Sequence, residues 1–269
     1  MRIGIAGDWH KNARWAETAI AAFATAKVHE IWHLGDIGFI GTVDSINFYI
    51  DKMQEAIDGT GHPMKLYVVL GNHEDYDWLE RQPASADGLV WLTKDIVVVP
   101  RGYVFEREKR QFLAVSGASS IDYKQRTRGI DWFLQENITR AEADSIIRDV
   151  IPGSIDVMLC HDAPTGIPEL DVAALGGRWD MAERHYAETS RIQLNRIFRH
   201  VMPTQLWHGH WHCTVRGTFE FGGFQTAIFG LDREWTDGNM AVLDTRKLTV
   251  QDIGRDGKPL PRMGDSFRI

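Results

Sequence analysis

Three histidines fall within five positions of the segment LWHGHWHC, residues 206–213. Imidazole binds divalent metals directly through its unprotonated ring nitrogen. In an extended chain, the spacing His-x-His would place two of these side chains on the same side. The segment Asp8-Trp9-His10 has the same spacing with a carboxylate in place of one imidazole. Both segments therefore predict metal ligands on one face of the chain, with Trp9 and Trp211 turned away.

Further polar side chains follow apolar runs that have the composition of buried strands. In open α/β sheets, ligands bind beyond the carboxyl ends of the strands, where segments far apart in sequence converge. Carboxylates and imidazoles without thiolates suit Mn, Fe, Zn, Ni or Co, and the set does not choose among them. The polar residues at predicted strand ends are Asp8 and His10, Asp36, Asn72 and His73, His161, His210 and His212.

The apolar runs alternate with segments of helical periodicity, which predicts stacked βα units. The segment Thr-Arg-Ala-Glu at 139–142 is a capping-box pattern that opens one of these helices. After Cys213, four short apolar segments broken by glycines predict an antiparallel or mixed sheet. Helices are predicted over residues 13–26, 45–57, 139–150 and 188–201.

The bulk composition excludes several classes of protein. With 269 residues, 43% hydrophobic and 25% charged, the chain is predicted to form one α/β domain over residues 1–269. A net charge of -7 argues against an extended basic surface for nucleic acid or for a membrane. The sequence shows no pattern of a membrane span or signal peptide, so a cytoplasmic location is predicted. Two cysteines, Cys160 and Cys213, exclude a disulfide framework.

The order of the polar segments resembles the calcineurin-like metallophosphoesterase superfamily. The motifs of that family run DxH, GD, GNH followed by Asp or Glu, a lone His, and GHxH. A lone DxH would be a weak signal, whereas five motifs in order are specific. The chain carries them as Asp8-Trp9-His10, Gly35-Asp36, Gly71-Asn72-His73-Glu74, His161 and Gly209-His210-Trp211-His212.

The resemblance implies an α/β fold, a four-layer αββα sandwich of mixed sheets with two metal ions at the strand ends. By motif position, Asp36 would bridge the two ions. Manganese would be a common activator in vitro, with Fe, Zn, Ni or Co as alternatives. One ion would be held by Asp8, His10 and His212, and the other by Asn72, His161 and His210.

Such a centre suits hydrolysis of phosphate esters. Two divalent ions about 3.5 to 4 Å apart can bridge a hydroxide and neutralise charge on phosphoryl oxygens. The resemblance implies that His73 is not a ligand but protonates the leaving oxygen, a role that suits the ordinary pKa of histidine. The second strand is followed by GDIGFIG, which lacks the second aspartate and the arginine of the protein-phosphatase pattern GDxxDRG. The group that orients His73 is therefore not identified by sequence.

Candidate substrate contacts come from segments outside the metal motifs. The segment SGASSIDYKQRTRGIDWF, residues 116–133, resembles a bacterial and phage subgroup of small phosphodiesterase-like enzymes. Arg126 and Arg128 would place guanidinium groups near phosphate oxygens, although a solvated basic turn explains them equally well. Trp179, in the Pro/Gly-bearing stretch after His161, is a candidate for stacking on substrate. Specificity is expected from the loops 76–90, 119–131 and 163–186.

Several functions compete at this point. We favour a phosphodiesterase acting on small diesters such as cyclic nucleotides, because no arginine lies inside a metal motif to serve a dianionic monoester. A phosphomonoesterase or a protein phosphatase is the alternative. A nuclease is weakened by the acidic charge balance, and a non-catalytic scaffold by the complete set of ligand motifs. The expected partner is a small phosphate ester, with no membrane and no extended nucleic-acid surface; oligomeric state cannot be predicted.

Overall fold

The computed structural model describes residues 1–167, Leu170, residues 179–261 and the backbone of 266–268. In this part of the chain, the strands form two mixed sheets of seven strands each. The spatial order of the first sheet is β13-β12-β1-β2-β3-β5-β4. Its strands are β1 (Arg2–Ala6), β2 (Glu30–Leu34), β3 (Lys65–Val69), β4 (Val90–Trp91), β5 (Ile96–Val98), β12 (Met240–Asp244) and β13 (Thr249–Asp252).

The second sheet has the order β14-β10-β11-β9-β8-β7-β6. Both sheets have a parallel centre, formed by β1, β2, β3 and β5 in the first and by β7, β8, β9 and β11 in the second. Antiparallel strands flank each centre. The strands of the second sheet are β6 (Tyr103–Arg107), β7 (Arg110–Val115), β8 (Val157–Cys160), β9 (Gln205–His208), β10 (Thr214–Phe221), β11 (Phe224–Gly230) and β14 (Ser266–Arg268).

The four helices predicted from periodicity are present, although the last of them starts earlier than expected. The short helix Tyr76–Glu80 was not predicted, since it lies in the segment 76–90 that was expected to be a loop. The predicted capping box is present, since Thr139 and Glu142 cap each other at the start of α4. The last helix begins at Met181, seven residues before the predicted start at residue 188. A second capping box between Asp180 and Glu183 starts it, and its first turn is polar or exposed, which hides the apolar periodicity. The helices are α1 (Ala13–Thr25), α2 (Val43–Gly59), α3 (Tyr76–Glu80), α4 (Arg140–Asp149) and α5 (Met181–Val201).

Three hydrophobic clusters separate four layers. Phe23 and Leu66 belong to the cluster that α1 and α2 form with one face of the first sheet. Trp32 and Trp207 belong to the cluster between the two sheets. Ile197 belongs to the cluster between the second sheet and the pair α4 and α5. The predicted fold class, an α/β sandwich of two mixed sheets covered by helices, is confirmed.

The parallel strands run so that β1, β2 and β3 of one sheet, and β8 and β9 of the other, each end just before a predicted ligand. Both sheets therefore supply side chains to one edge of the sandwich. Of the helices in the described ranges, none has the length and apolar character needed to cross a membrane. Most of the stretch 163–178, predicted as a loop over the site, lies outside the described residues.

Candidate metal centre

Most of the predicted metal ligands lie in left-handed backbone conformations. The extended geometry expected for Asp8-Trp9-His10 and His210-Trp211-His212 is therefore wrong. The φ angles are 54° at Asp8, 45° at His10, 54° at Asp36, 65° at His210 and 48° at His212. Left-handed residues other than glycine cost free energy and concentrate at functional sites. The chain turns sharply after each strand, and the turns rather than strand alternation aim these side chains inward. Trp9 and Trp211 nevertheless pack with the hydrophobic clusters, as predicted.

The glycines of the motifs make room for the ligands. A Cβ on Gly71 would lie 2.3 Å from Asp36 Oδ1 and 2.7 Å from His161 Nε2. A Cβ on Gly209 would lie 2.2 Å from Asp8 Oδ2. Real Cβ atoms are not found this close to other heavy atoms, so any side chain at either position would displace a ligand.

Two groups of ligand atoms converge at the edge of the sandwich. Asp8, His10, Asp36 and His212 form one group, and the atoms that each offers lie within 4.8 Å of one another. A second group with the same limit consists of Asp36, His161 and His210. Asp36 belongs to both. The amide oxygen of Asn72 lies 3.0 Å from His161 Nε2, which brings the seventh predicted ligand to the second group.

The orientation of His161 provides a test of whether these residues fit a cation. Its Nδ1 lies 2.7 Å from the carbonyl of Leu34, which can only accept, so Nδ1 carries the ring proton. The Nε2 lone pair then faces Asp36 Oδ1 at 3.2 Å and Asn72 Oδ1 at 3.0 Å. Three acceptor atoms facing one another need a proton or a metal ion between them. The donor set therefore fits a divalent metal.

The pKa values of His161 and His10, unlike that of His210, which burial lowers, show how strongly nearby carboxylates favour positive charge on these two rings. Burial alone would lower the pKa of His161, but the charge and hydrogen bond of Asp36 outweigh burial and raise it to about 10. The same balance raises the pKa of His10 to about 9. A metal ion bound to either imidazole would take the place of its proton.

Asp36 is a buried carboxylate, 1% exposed, with donors on both sides. Its Oδ1 accepts hydrogen bonds from the backbone N–H groups of Asn72 at 2.8 Å and His73 at 2.9 Å. Burial opposes its ionisation, yet the imidazoles of His161 and His73 outweigh burial and hold the pKa of Asp36 well below its usual range. Asp36 is therefore ionised and available to both groups of ligands.

Two contacts at the centre join the sheets. The backbone N–H of His210, which follows β9, donates to Asp8 Oδ1 at 3.0 Å. The ring of His161, which follows β8, reaches the carbonyl of Leu34 in β2. The position of the second sheet relative to the first therefore decides whether the two ligand groups can share Asp36.

Sequence reasoning missed the group that orients His10. Glu234 Oε2 lies 2.8 Å from His10 Nδ1, while His10 Nε2 points toward Asp36 Oδ2 at 3.7 Å. A carboxylate on the far nitrogen of a ligating histidine fixes its tautomer and ring orientation. The backbone N–H of Glu234 also donates to the carbonyl of Asp8 at 3.1 Å. Nothing in the local sequence LDREWTDG marks Glu234, because its partner lies 224 positions earlier.

Glu74, the last residue of the GNHE motif, also holds the centre without belonging to either ligand group. Its Oε1 accepts from the backbone N–H of Gly38 at 3.0 Å, and its Oε2 accepts from that of Gly71 at 2.5 Å. It therefore ties the turn after β2 to the turn after β3. Burial raises the pKa of Glu74 to about 7. The motif identified this position by sequence but not its structural role.

The residue beside His73 is Arg126. Its Nη2 donates to His73 Nε2 at 2.7 Å, and its Nη1 donates to the carbonyls of Asn72 at 3.1 Å and Asp131 at 3.3 Å. Its Nε forms an ion pair with Asp122 at 2.8 Å. The Arg126 side chain is 7% exposed, so the alternative of a solvated basic turn is wrong for this residue.

Because a guanidinium can only donate, the Nε2 of His73 must accept from Arg126, and the ring proton of neutral His73 lies on Nδ1. Burial lowers the pKa of His73 below its usual value, the carboxylate of Asp36 opposes that shift, and Arg126 adds to it. The group that orients His73, which sequence could not identify, is therefore a cation rather than a carboxylate.

The other two predicted substrate contacts are not joined to this cluster by the described hydrogen bonds. Arg128 is exposed, two residues beyond Arg126. Trp179 is half-buried directly before the start of α5, and its carbonyl accepts from Arg184 Nε at 2.9 Å. Contacts of Arg128 and Trp179 with substrate therefore stay predictions.

Known proteins resemble this chain in sequence motifs and in fold. The sequence model of the family described as calcineurin-like phosphoesterase matches residues 1–214. No curated protein is a significant match to the chain.

Among solved structures, the chain is similar in fold to a dimetal phosphatase from Danio rerio, with 13% identity, a TM-score of 0.55 and coverage of 90% of this chain and 91% of that one. It is also similar to a protein from Thermus thermophilus, with 8% identity, a TM-score of 0.54 and coverage of 94% and 98%. An archaeal phosphodiesterase has 14% identity, a TM-score of 0.43 and coverage of 94% and 99%.

Replacing Gly71 by alanine should weaken metal binding while the fold is retained. The new Cβ would occupy the space between Asp36 and His161, so we expect metal affinity to fall by at least about 10-fold. Metal content after dialysis against a fixed Mn²⁺ concentration measures this. Gly59→Ala at the end of α2 is the matched control, because a Cβ there meets nothing within 4 Å. Equal metal content in both variants would contradict the close approach.

Asp36→Asn should weaken both metal positions together. The amide oxygen can keep the hydrogen bonds from the backbone of Asn72 and His73, so mainly the negative charge is lost. We expect both affinities to fall by about 100-fold or more, as for the strongest outer-shell losses. Elemental analysis measures the result, with Asp252→Asn, a buried aspartate paired with Arg216, as control. Loss of only one ion would argue against a shared carboxylate.

Proposed function

Since this chain belongs to the calcineurin-like phosphoesterase family, as its motif order predicted, we propose that it hydrolyses phosphodiesters at a centre of two divalent metal ions. Membership of the family makes it a metal-dependent phosphoesterase. The observation that carries the dinuclear proposal is the presence of Asp36 in both ligand groups. A single buried carboxylate between two sets of imidazoles suits a pair of cations better than one.

In this proposal, Asp8, His10, Asp36 and His212 hold one ion, and Asp36, Asn72, His161 and His210 hold the other. When bound, the ions supply positive charge for the phosphoryl oxygens and lower the pKa of a water molecule so that it can act as nucleophile. The protein supplies the fixed positions of these ligands on seven buried or half-buried side chains. Manganese is our choice for assays, since imidazole and carboxylate ligands suit it along with Fe, Zn, Ni and Co.

The charge beside His73 favours a diester over a monoester. Arg126 is the cation that contacts His73, but its Nε is paired with Asp122. The pair adds no net charge, so it offers little extra attraction to a dianionic monoester. The guanidinium of Arg126 can still donate hydrogen bonds, and it donates them to phosphate oxygens in a fixed geometry. We propose that Arg126 orients one oxygen of a singly charged diester.

We propose that His73 carries the proton for the leaving oxygen. Its Nε2 accepts from Arg126, and a phosphate oxygen competes for the same guanidinium donor. Once Arg126 donates to phosphate, Nε2 is released to hold a proton beside the ester. The lowered pKa of His73 makes its protonated form a stronger acid, at the cost of a smaller protonated fraction near neutral pH.

A nucleotide is the substrate class that we propose, with cyclic nucleotides as the first candidates. Three half-buried aromatic rings accompany the segment that carries Arg126. The ring of Tyr123 lies 5.5 Å from that of Trp132 and 4.6 Å from that of Tyr186, centroid to centroid. Aromatic faces of this kind stack nucleobases irrespective of sequence. Trp179 and Arg128 remain proposed contacts for the same substrate.

A phosphomonoesterase is the second candidate, and Arg126 is the observation that favours it. If a substrate drew Asp122 away, the freed guanidinium would offer bidentate donors to a dianionic phosphate. The two candidates therefore differ in whether the pair between Arg126 and Asp122 is retained in the complex.

The first assay compares bis-p-nitrophenyl phosphate with p-nitrophenyl phosphate after chelator treatment and addition of Mn²⁺. We expect no turnover before the metal is restored, and afterwards a kcat/KM at least about 10-fold higher for the diester, which is about 1.4 kcal/mol of transition-state stabilisation. A preference for the monoester would move the assignment to the second candidate. Absence of turnover with Mn, Fe, Zn, Ni and Co would reject hydrolysis.

His73→Ala should separate acid catalysis from metal binding. With poor leaving groups such as nucleoside hydroxyls, we expect kcat to fall by about 10² to 10⁴, the usual contribution of a general acid. With nitrophenyl esters the loss should be much smaller, because that leaving group needs no proton. Metal content should equal that of the wild type and of His185→Ala, which alters an exposed histidine of α5. A parallel loss on both substrates would reject the acid role.

A further inference from the structure

Asn72 presents a problem that the other proposed ligands do not. The two ends of its side-chain amide have nearly the same shape, but only the oxygen can bind a metal. Asn72 is 2% exposed, so water is not available to satisfy the other end. The oxygen lies toward His161, and Nδ2 donates to the hydroxyl oxygen of Ser120 at 3.1 Å. The partner of Nδ2 therefore decides which end faces the metal position.

The Ser120 hydroxyl alone would not fix the orientation of the Asn72 amide. A serine hydroxyl both donates and accepts, so it could equally satisfy an Asn72 side chain turned the other way. Glu136 removes this ambiguity, because its Oε2 accepts the Ser120 hydroxyl proton at 2.9 Å. Its Oε1 accepts from the backbone N–H of Ser120 at 2.7 Å, which fixes the carboxylate in place. With its proton directed to Glu136, the Ser120 oxygen can only accept from Asn72.

Glu136 is also buried and packed against the chain segment before Ser120. It ends the short 3-10 helix Leu134–Glu136 and is 0% exposed, as is Ser120. A Cβ on Gly117 would lie 2.3 Å from the Glu136 carbonyl oxygen, so the chain before Ser120 packs directly on it. Among the described residues, Glu136 belongs to neither group of metal ligands. Burial raises the pKa of Glu136 to about 8, so it accepts both hydrogen bonds as a carboxylate above that pH, where the metal affinities are measured. In the part of the chain that the structure describes, the donors of both hydrogen bonds belong to Ser120.

We propose that Glu136, acting through Ser120, is a positioning residue that keeps the Asn72 amide oxygen directed at the metal position shared with His161 and His210. The inference rests on the proposed dinuclear centre. It makes one of the two metal affinities depend on a chain of hydrogen bonds that contains no metal ligand except Asn72. The other position, held by Asp8, His10 and His212 with Asp36, meets Asn72 through the backbone N–H that donates to Asp36 Oδ1. Changes to the side chains of Ser120 and Glu136 leave that backbone contact in place, so we expect this affinity to be kept.

Ser120→Ala tests this series of hydrogen bonds by removing the acceptor of Asn72 Nδ2 with little change in volume. Stepwise affinities for Mn²⁺ are measured by calorimetry on chelator-treated protein, and the spin coupling of the Mn pair by electron paramagnetic resonance. We expect one affinity to equal that of the wild type and the other to fall by about 10- to 100-fold. At a Mn²⁺ concentration that fills both positions of the wild type, the variant should show the spectrum of isolated Mn²⁺.

Ser119→Ala is the matched control. Ser119 is equally buried, and its hydroxyl bonds to Asn137 and Ser190 rather than to Asn72. A general loosening of this segment would lower metal binding in both variants. We expect Ser119→Ala to bind two ions with the affinities of the wild type.

Glu136→Gln tests the direction of the hydrogen bonds with almost no change in shape. One end of the glutamine amide must be NH₂, and it meets either the Ser120 N–H or the Ser120 hydroxyl oxygen. In the first case two donors face each other, and in the second the serine proton is free to turn toward Asn72. The clash of two donors disfavours the first case, so the second prevails. The serine proton can then turn toward Asn72 and favour the wrong orientation of its amide, so we expect the same selective loss of one ion.

Normal affinities for both ions in Ser120→Ala and Glu136→Gln would overturn the inference, as would an equal loss in Ser119→Ala. These results are independent of activity. Wild-type protein that binds two ions but hydrolyses no phosphate ester would reject the proposed function and leave the positioning role intact. Thermal unfolding of the chelator-treated variants identifies any variant that does not fold. If either Ser120→Ala or Glu136→Gln fails to fold, the metal affinities of the other one test the inference.

Discussion

An ionised carboxylate buried away from bulk solvent is the constraint on which the rest of the structure depends. Asp36 is almost completely buried, and an uncompensated buried charge would cost several kcal/mol. Backbone N–H groups after β3 and imidazoles from both sheets provide the compensation. These groups come from separate strands, so the sheets must meet at one edge for Asp36 to remain charged. The same convergence leaves its oxygens available to two ligand groups.

The fold meets this constraint with tight turns rather than with longer side chains. Parallel strands end together at the edge, and left-handed residues directly after them turn the ligands inward. Glycines at 71 and 209 allow the backbone to pass within contact distance of Asp36 and Asp8. Such turns are strained, and the packed clusters on either side of each sheet hold them. The packing of the sandwich therefore keeps the predicted ligands in fixed positions.

Around the ligands, three glutamates act as acceptors for groups that must not move. Glu74 ties two turns together, Glu234 holds His10, and Glu136 acts through Ser120 on Asn72. Outer partners of this kind fix tautomers and amide orientations, which ligand identity alone does not. Arg126 has the equivalent position for His73, although it is a cation. Its ion pair with Asp122 links the orientation of His73 to the charge that a substrate meets.

Residue types and local periodicity were enough to predict the alternation of strands and helices, the α/β class and the residues that converge at the strand ends. These follow from residue type and from periodicities of two and 3.6, which are local properties. The start of α5 was misplaced because its first turn is polar or exposed, which hides the apolar periodicity there. Family motifs in order supplied the ligand set, since composition alone could not choose among eleven histidines.

The left-handed turns, the proton position on His161 and the partners of His10, His73 and Asn72 follow from the folded chain and were not predicted. The residues in these last three contacts are 224, 53 and 48 positions apart. No local pattern encodes such pairs, because each depends on how two sheets and their loops pack in space. Ligand identity is therefore local information, whereas ligand orientation is a property of the assembled fold.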